Sequence, residues 1–425
     1  MAIEFYKEFG EFGYLANYSE YGFYKNGKYF KTAEHYYQSE KFDDLEIKNK
    51  IINASTAKEA AAIGRDRKNK RIDNFREIKL GVMYEGVLEK FRQNSDIRSK
   101  LIETRNVEIK EMTVKESFWG MGPNLDGENH MGKILEVVRE KVKREVLLKI
   151  LSNCRDKKVY VVGHNNPDPD TVFSSLIMTN ILRSKGIEAV FSVRDENFVS
   201  KELITDYLKE DYEVIDDYSN KYFLLIDNNS LDFIESNQVL GSIDHHKITG
   251  EVEDLIEIEY ASTGLLIYDL FKNSYKFSEE ELKLIFLTVL ADTEYLVSSR
   301  FSLEDEKLFN ELGVELDVVS LQKKYFKTTD FSNSIHSNFK NDYKVYNRGD
   351  IAIRRSMISS YSLEKDKYYD EYVAMMDKNE IDLLIWCDYS LKKTYIHYKN
   401  LDIEFPYFTT SSNLILDYLE KESSL

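Results

Sequence analysis

Apolar residues in the first third of the chain recur mainly at helical spacing. An aromatic stretch from Gly22 to Phe30, around the turn Lys25-Asn26-Gly27, predicts a short β-like start, and several helical patterns follow it. Thr32 precedes the first of these runs as a cap residue, and Asp73 to Gln93 predicts a long amphipathic helix. A charged helix from Lys133 to Leu151 follows, so we place a domain boundary near residue 150.

From Lys157 onward, short β-branched runs alternate with helical patterns. The predicted strands are Val159 to Gly163, Ala189 to Val193, Tyr222 to Asp227 and Val239 to Asp244, and the predicted helices are Thr171 to Lys185, Thr263 to Lys272 and Ser278 to Leu290. This alternation predicts βαβ units and a parallel sheet. The predicted fold class is α/β multidomain, with a mainly helical α+β domain (1–150), a parallel α/β sheet domain (151–325) and a small mixed α/β lobe (326–425).

The composition limits the cellular compartments and the binding partners that we expect for this chain. The chain has 425 residues, more than one hydrophobic core usually serves, and a formal net charge of −17. Such an acidic chain lacks the excess cations that non-specific nucleic-acid binding needs, whereas local cations or metals can still hold a small phosphorylated substrate. Two cysteines and no apolar N-terminal stretch favour a cytoplasmic location. No window approaches 18 uninterrupted apolar residues, so no membrane segment is predicted.

Acidic and histidine side chains follow the predicted strands and close one helix of the second domain. These residues are His164, Asp168, Asp170, Asp227, Asp244, His245, His246 and Asp292. The carboxyl ends of parallel strands meet at one sheet edge, where carboxylates and imidazoles need cations to offset their repulsion. Mixed His and Asp ligands suit Mn²⁺ and related first-row ions. A single Asp at a strand end is more often a cap or turn residue, but the whole set favours a metal centre.

These residues resemble the motifs of the DHH phosphoesterases, specifically the manganese-dependent (family II) inorganic pyrophosphatases and their exopolyphosphatase relatives. The similarity runs from about residue 157 to 300. It implies one metal held by His164, Asp168 and Asp227 and a second held or supported by Asp170, Asp227, His245 and Asp292. It also implies that His246 contacts phosphate and that Asp244 orients its neighbours. The implied cofactor is two Mn²⁺ per chain, with Mg²⁺ or Co²⁺ as alternatives, and a water between them would attack phosphorus.

Two departures from this family bear on the substrate. The pyrophosphatases follow the second-motif Asp with His and then Asn-Glu, whereas this chain has Asn228-Asn229-Ser230. For their basic substrate-binding cluster the tail offers only candidates, namely Lys327, Arg354, Arg355, Lys392 and Lys393. Free pyrophosphate is therefore disfavoured. The branch that degrades oligonucleotides and cyclic dinucleotides is also disfavoured, because the last lobe has no Gly-Gly-Gly-His element.

The predicted helix after Thr32 carries polar side chains on one face. Glu34, Gln38 and Lys41 fall within about 60° of one another at the helical repeat. That pattern fits an ordinary solvated face as well as a binding site. Farther along, Trp119 lies between turn glycines, where it could be a core plug or a platform on which a base or ribose stacks.

Together these segments resemble the NADAR family, whose members are associated with NAD and ADP-ribose chemistry. The similarity covers nearly all of residues 1–143 and includes Tyr14-Leu15-Ala16-Asn17-Tyr18, the helix from Glu34 to Phe42, Phe118-Trp119-Gly120 and Asn129-His130-Met131-Gly132-Lys133. Members are N-glycosidases that act on a ribosylamino pyrimidine phosphate or on ADP-ribosylated guanine. The resemblance implies that Glu34 is the catalytic carboxylate, that Trp119 stacks, and that Asn17, Gln38, Lys41 and Arg65 bind sugar or phosphate.

The two resemblances predict a bifunctional hydrolase. Its N-glycosidase would act on an ADP-ribosyl or ribosylamino substrate, and its phosphoesterase would cut a phosphoester or phosphoanhydride. In the alternative, the first domain senses an ADP-ribose or NAD derivative and regulates the phosphoesterase, and a third possibility is a scaffold with both sites inactive. The expected partner is a small phosphorylated nucleotide or ADP-ribose-type substrate, with no membrane and no non-specific nucleic-acid binding. A homodimer is allowed.

Overall fold

The structure is a computed structural model, in which the chain forms two compact units. It describes residues 2–246, 252, 254–298, 301–325, 329–341, 343–348, 351–360, 363–389, 391–405, 408–409 and 412–422. The first unit comprises Met1–Tyr160, Gly186–Glu188 and Tyr218–Glu259, and the second comprises Val161–Lys185, Ala189–Asp217 and Tyr260–Leu425. Each unit has its own buried apolar core.

Helices and strands alternate along most of the described chain. The helices are α1 (Ala33–Ser39), α2 (Leu45–Ile52), α3 (Ala57–Arg65), α4 (Phe75–Gln93), α5 (Ser95–Glu103), α6 (His130–Asn153), α7 (Pro169–Ser184), α8 (Lys201–Tyr207), α9 (Thr263–Phe271), α10 (Glu279–Asp292), α11 (Leu303–Glu311), α12 (Val318–Tyr325), α13 (Ile335–Asn341), α14 (Leu363–Ala374) and α15 (Ser412–Glu422). The strands are β1 (Ala2–Phe5), β2 (Phe23–Lys25), β3 (Lys28–Phe30), β4 (Glu108–Glu111), β5 (Val159–Val162), β6 (Ala189–Val193), β7 (Glu213–Val214), β8 (Tyr222–Ile226), β9 (Val239–Asp244), β10 (Leu255–Glu257), β11 (Tyr343–Arg348), β12 (Ile351–Ser360), β13 (Leu383–Asp388), β14 (Lys393–Tyr398) and β15 (Leu401–Glu404).

The first part of the first unit is mainly helical, as the apolar spacing predicts. Strands β2 and β3 lie on either side of the predicted turn and pair as an antiparallel hairpin, in which Asn26 and Gly27 have φ of 52° and 74°. The Thr32 hydroxyl accepts the His35 N–H at 3.3 Å and so caps α1, while Thr56 caps α3 in the same way. Strand β1 pairs in parallel with β4, a contact between distant segments that the local pattern does not predict.

Helix α6 connects the first part of this unit to its parallel strands. Strands β8, β9 and β10 run parallel, and α6 packs on β9 because Gly241 has no side chain. A Cβ at Gly241 would lie 2.7 Å from Cγ1 of Ile150. At the end of the helix, the Asn153 amide donates to Leu240 O at 3.0 Å and to Asp254 Oδ2 at 2.9 Å. The predicted boundary near residue 150 therefore falls inside a packed helix, and the domain limits themselves stay predictions.

The second unit combines a helical layer with a mixed sheet. Helix α7 packs against α9 and α10, and a Cβ at Gly264 of α9 would lie 2.4 Å from Oγ1 of Thr288 in α10. The last lobe carries a five-stranded sheet in the order β11-β12-β13-β14-β15, in which only the pair β12 and β13 is parallel among the described strands. This confirms the predicted fold class, including the mixed α/β lobe. Among the described residues, no helix is both long and apolar enough to cross a membrane.

Candidate active sites

Glu34 lies on the buried face of α1, one turn before Gln38. Its side chain is 3% exposed. The Asn17 amide donates to Oε2 at 2.6 Å, and the Gln38 amide donates to Oε1 at 2.7 Å. Both carboxylate oxygens therefore have a fixed partner, and the solvated-face interpretation of this helix is excluded.

The charge environment of Glu34 is divided between burial and nearby cations. Burial raises the pKa of Glu34, whereas the Gln38 hydrogen bond and the charges of Lys41 and Arg65 lower it. Burial also lowers the pKa of Lys41 to about 8, although the Glu34 charge acts in the opposite direction. The Lys41 ammonium lies 5.0 Å from the Tyr37 ring centroid. The buried Glu34 carboxyl group thus lies close enough to Lys41 and Arg65 to be influenced by both cationic side chains.

The side chain of Gln38 fits only because residue 64 is glycine. A Cβ at Gly64 would lie 2.0 Å from Oε1 of Gln38. Gly64 is in the last turn of α3, so the Gln38 side chain can pack directly against the α3 backbone while its amide donates to Glu34. Helix α3 also ends with Arg65, whose guanidinium donates to the Tyr18 hydroxyl at 3.4 Å.

These groups surround one cavity of about 250 Å³. The residues that line it are Asn17, Tyr18, Glu34, Tyr37, Gln38, Lys41, Arg65, Met83, Glu111, Thr113, Glu116, Trp119 and Met131. The structure therefore brings together all six residues that the sequence assigned to this site. Tyr18, Glu111 and Glu116 also line the cavity, and the sequence analysis did not single them out.

Trp119 is held by its own loop. The Glu116 carboxylate accepts the backbone N–H groups of Trp119 at 3.1 Å and Gly120 at 3.2 Å. The indole packs edge-on against Tyr37, with ring centroids 5.6 Å apart at 88°. Because the indole is only half-buried and lines the cavity, it can serve as a stacking surface rather than as a core plug.

A second acidic site lies at the ends of β8 and β9 in the first unit. Asp227 follows β8 with a left-handed φ of 56°, and its N–H donates to Ile243 O at 3.0 Å. Its Oδ1 lies 3.4 Å from Nε2 of His245 and 3.3 Å from Nδ1 of His246. Asp244 Oδ1 lies 2.9 Å from the same His246 nitrogen. Asp227, His245 and His246 present ligand atoms within 4.8 Å of one another, a spacing that fits a metal ion.

The electrostatics of this Asp–His cluster favour a cation. Burial lowers the pKa of His246, but hydrogen bonds and charges of Asp227 and Asp244 outweigh it and raise the pKa to about 10. The Asn229 amide donates to Asp244 Oδ2 at 2.6 Å. Asn229, which departs from the pyrophosphatase motif, therefore fixes Asp244, the first residue of the DHH triplet Asp244-His245-His246.

The remaining predicted ligands lie in the second unit around the start of α7. Asp168 caps this helix by accepting the Thr171 N–H at 2.9 Å, and its Oδ2 lies 3.6 Å from Nε2 of His164. Asp170 is fully buried and accepts from Thr263 N–H at 2.7 Å and Gly264 N–H at 3.0 Å. These two donors open α9, and its dipole stabilises the carboxylate.

Asp292 ends α10, as predicted. Three of the five candidate phosphate-binding cations of the last lobe, Arg354, Arg355 and Lys393, have protein partners. Arg354 forms a double hydrogen bond with Asp382, at 2.8 and 2.9 Å, and Lys393 pairs with Glu404 at 2.6 Å. Arg355 is 3% exposed and donates to Ser412 Oγ at 2.9 Å. Lys392 is exposed with a left-handed φ of 51°. Lys327 lies outside the described residues.

Known sequences match the two parts of the chain separately. The sequence model of the NADAR domain matches residues 4–143, and that of the DHH family, N-terminal domain, matches residues 158–293. An N-glycosidase of Nostoc punctiforme is 39% identical over 146 residues, which cover 34% of this chain and 94% of that protein. The chain belongs to the NADAR family. Both resemblances stated from the sequence are confirmed, and the NADAR segment is followed by a DHH-family domain.

Two further matches are a second N-glycosidase and a solved structure. The N-glycosidase YbiA of Escherichia coli is 32% identical to the NADAR segment over 140 residues, 33% of this chain and 88% of that protein. Among solved structures, a Methanococcus jannaschii protein assigned to the family II inorganic pyrophosphatases has a TM-score of 0.42 at 15% identity, over 60% of this chain and 95% of that chain. The two family matches support a fused hydrolase, and the DHH domain with its Asp–His cluster supports the use of divalent metal.

Proposed function

We propose that the chain is a bifunctional hydrolase in which the NADAR segment is an N-glycosidase and the DHH domain is a metal-dependent phosphoesterase. The buried Glu34, held by two amides on the wall of a cavity, carries the first part of the proposal. The substrate class is a ribose phosphate or ADP-ribosyl group linked through nitrogen, as in a ribosylamino pyrimidine phosphate or ADP-ribosylated guanosine.

The cavity suits such a substrate because its groups have separate tasks. Trp119 offers a stacking surface to the base, and Lys41 and Arg65 offer charge to phosphate. Glu34 takes a proton from the attacking water and steadies the positive charge that develops on the ribose as the bond to nitrogen breaks. Its raised pKa makes it a stronger base than an exposed glutamate at the same pH.

For the DHH domain, we propose that His164, Asp168, Asp170, Asp227, His245 and Asp292 hold two divalent metals, with Mn²⁺ preferred. The support is that all six lie within the segment that matches the DHH family and that Asp227, His245 and His246 already form a metal-sized cluster. Bound ions would acidify a water and polarise a phosphate oxygen.

The chain's own residues complete the phosphoesterase site. Asp244 accepts the backbone N–H of His246 at 3.0 Å and contacts its Nδ1 at 2.9 Å, which fixes the ring. The other ring nitrogen, Nε2, is then available to donate to a phosphate oxygen. The proposed substrate is a nucleotide-type phosphoester or anhydride rather than free pyrophosphate, because Asn228-Asn229-Ser230 replaces the pyrophosphatase sequence.

A direct test incubates the full chain with Mn²⁺ and a panel of substrates: pyrophosphate, polyphosphate, NAD, ADP-ribose, ribosylamino pyrimidine phosphate and ADP-ribosylated guanosine. Glu34→Ala should abolish release of the amine or base while phosphate release continues, and Asp227→Ala should do the reverse. Glu46→Ala, an exposed glutamate of α2, is the matched control. Wild-type protein that releases neither amine nor base from any substrate would refute the N-glycosidase assignment.

The sensor alternative draws support from α6. Met131 in its first turn lines the cavity, and Ile150 near its end packs on β9, the strand that leads to the DHH triplet. At 24 residues the helix is about 36 Å long and could transmit a change at the cavity. A sensor would make phosphoesterase activity of Glu34→Ala depend on added ADP-ribose, whereas independent enzymes would show no such dependence.

A further inference from the structure

A second acidic side chain of the NADAR cavity has no hydrogen-bond partner for its carboxyl group among the residues that the structure describes. Glu111 is the last residue of β4 and lines the same cavity as Glu34. Its backbone is anchored on both sides, since its N–H donates to Asn129 Oδ1 at 3.1 Å and its carbonyl accepts the Met121 N–H at 2.8 Å. Within the part of the chain that the structure describes, no hydrogen bond to the Glu111 carboxyl group is found.

The three cavity carboxyl groups therefore differ in what they can do. Glu34 accepts two amide hydrogens, and Glu116 accepts two backbone N–H groups, so both carboxyl groups have fixed donors. Glu111 has no such donors, and burial together with the charges of Glu116 and Glu34 raises its pKa to about 7. A substantial fraction of Glu111 is therefore protonated at neutral pH and carries a proton that it can donate.

Glu111 belongs to the wall that carries the stacking residue. A Cβ at Gly120 would lie 2.4 Å from the Glu111 carbonyl oxygen, so the loop that bears Trp119 packs directly on the end of β4. Glu34, by contrast, is held from α1 by Asn17 and Gln38. Glu111 and Glu34 therefore reach the one cavity from different elements, Glu111 from β4 beside the Trp119 loop and Glu34 from α1.

We propose that Glu111 is the general acid of the N-glycosidase reaction and that it protonates the nitrogen that leaves C1′ of the ribose. The inference rests on the proposed function of the NADAR segment. A leaving amine or base nitrogen departs with the electron pair of the C1′–N bond, and a proton supplied at that moment removes the developing negative charge.

The step balances without any further reagent. The C1′–N bond breaks and nitrogen takes the bonding pair together with the proton of Glu111. A water oxygen bonds to C1′ and gives one proton to Glu34. Glu111 ends as a carboxylate and Glu34 as a carboxylic acid, and one proton passing from Glu34 to Glu111 through solvent restores the starting state. Two carboxyl groups with different tasks are the usual arrangement for glycosidic hydrolysis.

The test compares Glu111→Gln, Glu111→Asp and wild type in the full chain, with release of amine or base from ribosylamino pyrimidine phosphate and ADP-ribosylated guanosine measured against pH. Glu108→Gln is the matched control, because Glu108 lies on the same strand but is exposed and pairs with Lys110 at 3.0 Å. We expect Glu111→Gln to lower kcat/KM by about 100-fold to 10,000-fold. The part of the wild-type decline in kcat/KM that begins near pH 7 should disappear in this variant, whereas the decline from loss of the Lys41 charge, whose pKa is about 8, should remain. Glu111→Asp should restore part of the activity and of the decline near pH 7.

The outcomes separate the two proposals. If wild type releases no amine or base, the proposed function fails and this inference falls with it. If wild type is active and Glu111→Gln keeps its rate and its alkaline decline, only the role of Glu111 is overturned. A lower rate with an unchanged alkaline decline would also overturn it, because that result indicates altered packing. Thermal unfolding of each variant identifies any loss of fold. If Glu111→Gln does not fold, Glu111→Asp tests the proposal instead, because a shorter acid should still show the decline in kcat/KM with rising pH.

Discussion

Replacing Gly64 with alanine tests whether the Gln38 amide positions Glu34. The new Cβ would lie 2.0 Å from Oε1 of Gln38, so the amide must move and its 2.7 Å hydrogen bond to Glu34 is lost. Alanine at a helical position gains about 0.5–1 kcal/mol over glycine, whereas overpacking costs about 1–3 kcal/mol. The net effect of Gly64→Ala on the free energy of unfolding is therefore a loss of about 0–2.5 kcal/mol.

The effect on activity should be larger than the effect on stability. A hydrogen bond to a charged group contributes about 1.5–3 kcal/mol, which corresponds to about 10-fold to 150-fold in rate if the bond acts in the transition state. The assay is N-glycosidase turnover beside urea unfolding of the same samples. Gly81→Ala is the control, because Gly81 is an exposed helical glycine whose Cβ would meet nothing within 4 Å. It should be slightly stabilised and fully active, and a Gly64→Ala rate within twofold of wild type would contradict the reasoning.

Three further predictions follow from the buried charges and the metal site. Because burial raises the pKa of Glu34 above its unfolded value of about 4.3, wild-type stability should fall as pH rises through the folded pKa, and urea unfolding of Glu34→Gln from about pH 4 to 8 should lack that fall. Burial lowers the pKa of Lys90 to about 7, so wild-type stability should rise from about pH 7 to 10. Lys90→Met should lose this rise and about 3 kcal/mol, because Tyr14 O, Ala16 O and the Ser19 hydroxyl each lose the hydrogen bond from Lys90. Mn²⁺ at about 100 times its dissociation constant should stabilise wild type by about 2.7 kcal/mol, measured by thermal unfolding. Asp227→Ala should show no such stabilisation. The control variant Asp232→Ala, which changes an exposed residue, should be stabilised as much as wild type.

Local chemistry explains why much of the fold could be predicted from the sequence. The hairpin at Asn26-Gly27, the cap at Thr32 and the Asp227 end of β8 depend on neighbouring residues, which a pattern displays directly. The parallel pairing of β1 with β4 depends on contacts between segments about a hundred positions apart, and both strands are only four residues long. Short strands carry too little alternation to identify a distant partner.

The residues of the candidate cavity also fall into two groups, those that the sequence could predict and those that it could not. Glu34, Gln38 and Lys41 share one helix face, so their proximity follows from the helical repeat, and family resemblance supplied Asn17, Arg65 and Trp119. Glu111 was missed because Glu108-Ile109-Lys110-Glu111 has the polar alternation of an edge strand, which indicates exposed carboxylates. Its burial comes from the loop between Thr113 and Met121, which folds over the end of β4. A carboxyl group that tertiary packing buries has no local signal in the sequence.

The position of α6 changes how the two activities should be separated. A cut at the predicted boundary near residue 150 would remove Asn153 and its hydrogen bonds to Leu240 O and Asp254. It would also place the chain end at Ile150, which is fully buried and packs against Gly241. Isolated halves would then lose packing on β9 for reasons unrelated to catalysis, and their inactivity would say nothing about coupling. Single-residue variants in the full chain keep α6 whole, so Glu34→Ala and Asp227→Ala are the informative way to silence one site and measure the other.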